Sequence, residues 1–241
     1  MSKSSLVMLV SSTFNRRAWL RLAPTLTNRH FASRGAKGWG WYHRAKEDET
    51  KEKPASVEFP QNVRSDNPRP KVFLKLSGLE ETDGRMVFEL ANDIVPTTCK
   101  NFYDLCTGVE TESGGATVSY RGTKFHQILR DAVAVGGDID ESGGKSSFSK
   151  ETGDPRGYFP NENYAVHHTQ PGILSMVPNG VDCNASQFLI TLGADNEHLN
   201  GRHVAFGHLV EGHDVLESLN DVFAAHGKPL ADIVVEDCGS I

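Results

Sequence analysis

The sequence predicts a mainly β (α+β) domain over residues 70–241, built as a closed antiparallel barrel with two helices, behind a non-globular amino-terminal extension. Two observations lead to this prediction. Short runs of alternating apolar and polar residues recur from Lys71 to the end of the chain, and only two segments show the 3–4 residue spacing of a helix. Because closing many short strands into a barrel removes exposed sheet edges, a barrel capped by the helices is favoured.

The first predicted elements are two strands and a helix. Residues 72–76 and 85–90 alternate as strands do, and the turn dipeptide Asp83-Gly84 lies between them. Pro96 suits the first turn of a helix and Gly108 suits its end. The apolar residues between them fall on one helical face, namely Cys99, Phe102 and Cys106.

The remaining predicted elements are five strands and the second helix. Helical spacing returns after Gly212, where four apolar residues share one face, namely Val215, Leu216, Leu219 and Val222. Apolar runs bounded by turn residues predict strands over residues 125–129, 172–177, 188–192, 204–209 and 233–235.

Residues 1–45 are predicted to be a transit peptide or a basic extension. The first 46 residues contain nine Lys or Arg residues and no Asp or Glu, although the whole chain has 31 acidic residues. An acid-free, Arg- and Ser-rich leader with interleaved apolar residues is typical of organelle import. The prediction is a mitochondrial protein, in the matrix or facing it, with the plastid as the alternative. A secretory signal and a disordered basic tail are the competing interpretations.

Residues 46–69 are predicted to be a polar linker or arm, because charges alternate and prolines recur there. All three tryptophans lie in the amino-terminal part, namely Trp19, Trp39 and Trp41. Tryptophan is enriched among the residues that anchor protein interfaces. One hypothesis is that Trp39, Trp41 and Tyr42 dock on another subunit. The alternative is that they are cleaved away or have no role.

The composition argues against several function classes. A net charge of −6 gives no reason to expect a nucleic-acid partner, and no apolar run approaches the roughly 18 residues of a membrane-spanning helix. Four separated cysteines predict reduced thiols rather than a disulfide framework or a zinc site. Two groups of histidines lack a matching carboxylate cluster, so neither a metal nor another cofactor is expected; the groups are His167-His168 and His203, His208 and His213.

One stretch carries a more specific pattern. Residues 171–192 read PGILSMVPNGVDCNASQFLITL, preceded by Phe125-His126 and Gly136-Gly137-Asp138 and followed by an Asp-Cys-Gly ending at residues 237–239. This order resembles the cyclophilins, the cyclosporin-binding family of peptidyl-prolyl cis/trans isomerases. The resemblance covers residues 72–241 and implies an eight-stranded closed barrel with two helices. It also implies that proline-containing peptide segments are the substrates.

The resemblance implies where a catalytic groove would lie. The position of the family's catalytic arginine is Gln127, and His203 is a retained groove histidine. The two pocket positions that are usually Phe and Met are Ala132 and Val133, and the glutamine that grips the peptide is replaced by Val135. The rest of the implied groove comprises Val177, Asn179, Gln187, Phe188, Leu189, His198 and Leu199.

These departures predict a cyclophilin-fold protein with weak or no isomerase activity. A neutral amide at residue 127 cannot replace the charge of a guanidinium, and Pro178 in the peptide-gripping segment has no backbone N–H. The favoured function is a structural or assembly subunit of a larger mitochondrial complex. The alternatives are an active organellar isomerase that assists protein folding, and a module that binds proline-containing peptides without turning them over.

Overall fold

The computed structural model describes residues 59–61, 66–80, 83–110, 117–139 and 157–241. The strands in these ranges are β1 Lys71–Ser77, β2 Arg85–Leu90, β3 Val109–Glu110, β4 Thr117–Val118, β5 Gln127–Leu129, β6 Val133–Gly136, β7 Phe159–Pro160, β8 Ile173–Pro178, β9 Cys183–Thr191, β10 Ala205–Glu211, β11 Ala224–Ala225, β12 Lys228–Pro229 and β13 Val234–Ser240. The helices are α1 Pro96–Thr107, the 3₁₀ turn Glu197–Leu199 and α2 His213–Asp221. The predicted leader, with its three tryptophans, lies outside the described residues.

Nine of these strands form one antiparallel sheet: eight follow the order β13-β1-β2-β10-β8-β9-β6-β5, and the two-residue β7 pairs with β9 beside this path. The two end strands approach each other at a single bridge between Lys124 and Val234. Hydrogen bonds from Phe125 N to Ile233 O and from Val235 N to Thr123 O, both 2.9 Å, extend this bridge. The predicted eight-stranded, two-helix architecture is therefore confirmed. The closure is short, because no continuous ladder joins the ends.

The interior of the sheet is filled by aromatic and branched aliphatic side chains. Phe102 on α1 lies 5.1 Å from the Tyr120 ring, 5.2 Å from Phe188 and 4.9 Å from Phe206, measured between ring centroids. All four residues are fully buried. Helix α1 therefore plugs one opening of the curled sheet.

Helix α1 begins and ends where its sequence predicts. Pro96 occupies the first turn and Gly108 ends the helix with a φ of 89°. The Glu162 carboxylate accepts hydrogen bonds from Thr97 N at 3.0 Å and Thr98 N at 2.7 Å. These two N–H groups have no partner inside the helix, so Glu162 caps it from 64 residues away.

Helix α2 follows Gly212, as its sequence predicts. Gly212 has a φ of 89°, and a Cβ there would lie 2.3 Å from Arg85 O. Any larger residue would therefore clash with the backbone of β2. Val215, Leu216 and Leu219 are buried against the barrel, whereas Val222 lies just beyond the helix and is half-buried.

The folded domain begins earlier than the predicted boundary at residue 70. Phe59 is 9% exposed and packs with Ala91, Val166, Ile173 and Ala205, and its ring stacks on His208 at 4.2 Å. The buried Arg69 guanidinium hydrogen bonds to Pro60 O at 2.7 Å and to both carboxylate oxygens of Asp93. Part of the predicted polar linker is therefore anchored on β2 and β10, which its polar composition does not reveal.

Candidate functional site

Five of the predicted groove residues come together on the outer face of the sheet. Val135, Leu189 and Leu199 form a small buried cluster that is separate from the main core, with 7%, 3% and 7% of their surfaces exposed. Val133 and Val177 pack against its edge and are half-buried. Val135 on β6 is paired with Leu189 on β9, so the register of these two strands fixes the centre of the cluster.

Gln127 lies at the edge of this cluster. On β5 it is paired with Val135 of β6, and its side chain is exposed. A Cβ placed on Gly227 would lie 3.6 Å from Gln127 Cγ and 3.7 Å from its Nε2. The amide therefore stands between the apolar cluster and the hairpin of β11 and β12, where an uncharged donor is available to a bound group. Ala132, half-buried, lies in the turn that joins β5 to β6.

Phe188 lies on the other face of β9 and is not part of the groove. Its ring is fully buried and meets Phe102, Tyr120 and Phe125 edge-on, with centroids 5.2, 5.1 and 5.9 Å away. Successive side chains of a strand point to opposite faces, so Leu189 faces the cluster and Phe188 faces the core. The prediction of Phe188 as a groove residue is therefore wrong. Gln187, on the cluster side, is 7% exposed.

The segment that would grip a peptide already uses its backbone within the chain. Asn179 N donates a hydrogen bond to Cys183 O at 2.8 Å, and Cys183 Sγ donates to Asn179 O at 2.8 Å. The preceding Pro178 has no N–H. Asn179 therefore offers no unused backbone group to a bound strand. Within the described residues, its buried Nδ2 has no hydrogen-bond partner.

The opposite wall is the loop between β9 and β10. His198 is exposed on the 3₁₀ turn, and Leu199 O accepts hydrogen bonds from Arg202 N and His203 N, both at 3.1 Å. His203 is half-buried, and its Nδ1 is buried with no partner in the described part of the chain. Burial lowers the pKa of His203, and nearby His198 and Arg202 add to the effect. The His203 ring is therefore neutral near pH 7.

A buried polar cluster holds this loop, and no local sequence pattern indicates it. His168 N and Nδ1 both donate hydrogen bonds to Asn200 Oδ1, at 2.8 and 2.9 Å. An amide oxygen only accepts, so the proton sits on Nδ1, and Nε2 accepts from Ser175 Oγ at 2.9 Å. His168 thereby ties the loop carrying Leu199 and His203 to β8. Its partners are 7 and 32 residues away, a spacing that matches no local motif.

The His168 cluster predicts a loss of stability in acid. Burial is the main cause that lowers the pKa of His168 from 6.5 to about 4, and neighbouring histidines add to it. As pH falls, the unfolded chain binds a proton at residue 168 before the folded chain does. The contribution of His168 to the free energy of unfolding is therefore complete above pH 6.5 and is lost as pH falls towards 4. The free energy of unfolding should fall by about 3 kcal/mol from this group over that range.

Urea unfolding of the chain at several pH values between 7 and 4 measures this dependence. The His168→Gln variant is the matched comparison, because it keeps a polar side chain but cannot titrate. We expect the free energy of unfolding to change less steeply with pH for the variant than for the unaltered chain. Equal slopes would show that His168 does not contribute.

Two other features, a metal site and a membrane-spanning helix, are absent from the described ranges. No group of three His, Cys, Asp or Glu side chains there is arranged to hold a metal ion. No helix among these residues is long and apolar enough to span a membrane. The four cysteines are free thiols, of which Cys99, Cys106 and Cys238 are buried.

Comparison with known families agrees with the fold. Residues 76–240 match the family model described as cyclophilin type peptidyl-prolyl cis-trans isomerase/CLD. The match covers more than half of the 241 residues and includes every strand from β2 to β13 as well as both α-helices. The chain therefore belongs to the cyclophilin-type peptidyl-prolyl cis-trans isomerase family.

Proposed function

We propose that this chain is a cyclophilin-fold subunit of a larger mitochondrial assembly and that it has little or no isomerase activity. One observation carries the proposal: the side chains of the apolar cluster beside Gln127 already fill the space between them. Val135, Leu189 and Leu199 expose only 3–7% of their surfaces. Little apolar surface is left there to hold a proline ring.

The chemistry of the reaction explains why Gln127 matters. Rotation of an X-Pro bond crosses a barrier of roughly 18–20 kcal/mol that comes from amide resonance. An enzyme lowers it by stabilising the twisted amide, whose nitrogen gains a lone pair, and a positioned cationic donor is well suited to this. A neutral amide donates a hydrogen bond about half as strong as a charged one. By analogy with the removal of one transition-state donor, the rate should fall by about 10²–10³.

Differences from the family pattern at the groove positions also weaken peptide binding. Burial of a proline ring against large apolar side chains contributes about 1–3 kcal/mol to binding, and Ala132 and Val133 offer little such surface. The backbone of Asn179 is occupied by Cys183. A proline-containing segment would therefore find neither a deep pocket nor a free strand edge at this place.

The charge distribution supports import into mitochondria and a role in an assembly. Residues 1–46 carry nine basic and no acidic residues. The other 195 residues keep 16 of the 25 basic residues and all 31 acidic residues, a formal charge of −15. A basic leader on an acidic domain suits import driven by the membrane potential. If the leader is not cleaved away, Trp39, Trp41 and Tyr42 then supply apolar anchors for a neighbouring subunit.

The experiment that tests this proposal follows the carboxyl-terminally tagged chain in cells of its source. We expect the tagged chain to fractionate with mitochondria and, after mild detergent treatment, to migrate on a native gel well above its own 26.4 kDa. Migration as a monomer would contradict the assembly role. Recovery with plastids would contradict the mitochondrial location and leave the assembly role intact.

An active organellar isomerase is the second candidate. It is favoured by the exposed Gln127 amide and by the neutral, half-buried His203 beside Leu199. Both groups could hydrogen bond to a peptide at the edge of the cluster. The two candidates differ in one quantity, the rate of cis-to-trans conversion of a proline peptide.

A further inference from the structure

A second apolar surface lies away from the groove residues, on the described part of the barrel. A cleft of about 540 Å³ is bounded by the turn after β1, the end of α2 and the segment after β12. Its apolar lining includes Leu79, Val222, Phe223 and Leu230. Phe223 is 81% exposed and Leu230 is 74% exposed. Large apolar side chains gathered at one exposed cleft are typical of interaction sites, whereas single ones are common anywhere.

The backbone under this cleft is held in place. Leu230 N donates to Phe223 O at 2.9 Å, and β11 and β12 form a hairpin between these two residues. Ile128 N donates to Gly227 O at 2.8 Å, which fastens the hairpin tip to β5. Val222 packs against the main core from the other side. The two exposed side chains therefore stand on an ordered scaffold, and a partner would meet them with little loss of backbone entropy.

The charge around the cleft indicates the kind of partner. Its described lining contains the carboxylates of Glu80 and Asp221 and no Lys, Arg or His. Asp221 accepts a hydrogen bond from Arg130 at 2.6 Å, so Glu80 is the stronger attraction for an incoming cation. A second copy of this chain would bring the same carboxylates together, and residues 47–241 of each copy carry a formal charge of −15. Like charges therefore disfavour self-association through this face.

We propose that this cleft, here called the Phe223 cleft, docks a segment of another protein that presents an apolar side chain next to a Lys or Arg. The inference rests on the proposed assembly role and specifies which surface performs it. The apolar side chain enters between Phe223 and Leu230, and the cation meets Glu80. Exposed aromatic residues are frequent among the few positions that dominate the affinity of an interface.

The test uses the full tagged chain in cells, with a photoreactive benzoylphenylalanine in place of Phe223. The same residue in place of Val181, which is 96% exposed and lies outside the cleft lining, is the matched control. We expect a cross-link from position 223 to one protein of the assembly, in a segment with an apolar residue flanked by Lys or Arg. A cross-link to a second copy of this chain, or to its own residues 1–46, would overturn the proposal.

Substitutions give an independent readout. The quantity measured is the amount of the partner, identified by the cross-link, that co-purifies with each tagged variant. We expect this recovery to fall for the double variant Phe223→Ser, Leu230→Ser and for the single variant Glu80→Lys. The loss should be roughly tenfold or more for the double variant. Val181→Ser and Glu110→Lys, at exposed positions outside the cleft lining, should leave recovery unchanged. Because the altered side chains are exposed, the unfolding midpoint should not move, which excludes misfolding as the cause.

The two proposals fail in different ways. If the unaltered chain migrates as a monomer, the assembly role fails and this inference fails with it. If the unaltered chain migrates in a large complex and the double variant migrates and co-purifies equally well, the assembly role stands. In that case the Phe223 cleft is not the docking site.

Discussion

Replacement of Phe188 with alanine is expected to lower the free energy of unfolding by about 3–5 kcal/mol. The ring is fully buried, and three aromatic rings meet it edge-on at centroid distances of 5.1–5.9 Å. Its removal loses the burial of the ring and leaves a cavity that the surrounding aromatic residues fill only in part. Urea unfolding followed by circular dichroism measures the change.

The control for this prediction is Val181→Ala, at a residue that is 96% exposed and that should shift stability by no more than about 0.5 kcal/mol. A residue exposed in an open groove would behave differently from a core residue, because its truncation removes few packing contacts and leaves stability nearly intact. If Phe188→Ala lowers the free energy of unfolding by less than about 1 kcal/mol, Phe188 belongs to the groove. That result would contradict the assignment of the β9 faces.

Substitution of Arg69 by methionine is expected to cost about 3–5 kcal/mol of stability. The Arg69 side chain is 2% exposed and its partner Asp93 is 6% exposed. Nε donates to Asp93 Oδ1 at 2.6 Å and Nη2 donates to Oδ2 at 3.0 Å. Without the guanidinium, the Asp93 carboxylate is left buried without its main countercharge. Pro60 O also loses a donor, so the segment containing Phe59 should detach.

A double variant separates the buried charge from the packing. Arg69→Met with Asp93→Leu removes both charges, and we expect it to recover part of the stability that Arg69→Met alone loses. Limited proteolysis should cut the Arg69→Met chain near residues 59–61 faster than the unaltered chain. Equal stability and equal cleavage would show that the domain begins near residue 70, as its sequence alone predicts.

The helices could be predicted from the sequence because their signals are local. Pro96 presets the backbone of the first turn, Gly108 permits the positive φ that ends α1, and Gly212 marks the start of α2. Most strands were predicted for the same reason, with boundaries shifted by a few residues. Strand β6 and the five two-residue strands were missed, because two to four residues with little alternation carry almost no signal; the two-residue strands are β3, β4, β7, β11 and β12.

The site could be predicted only in part. The side of the sheet to which a side chain points, and the hydrogen bonds between residues far apart in sequence, are not local properties. Strand β9 is buried on both faces over most of its length, so alternation cannot show that Phe188 points inward and Leu189 outward. The role of His168 could not be predicted, because its partners Ser175 and Asn200 are brought to it only by the fold. Phe59 was missed because one apolar residue among prolines and charges has no periodicity.

The most direct test of the central claim is the cis-to-trans rate of a short Ala-Pro peptide with the full chain, beside the Gln127→Arg variant and a buffer blank. An active cyclophilin serves as the positive control. We predict a rate for the unaltered chain that equals the buffer rate, and little gain from Gln127→Arg, because Val135, Leu189 and Leu199 leave no deep pocket. A clear acceleration by the unaltered chain would contradict the account and establish an isomerase that works with Gln127.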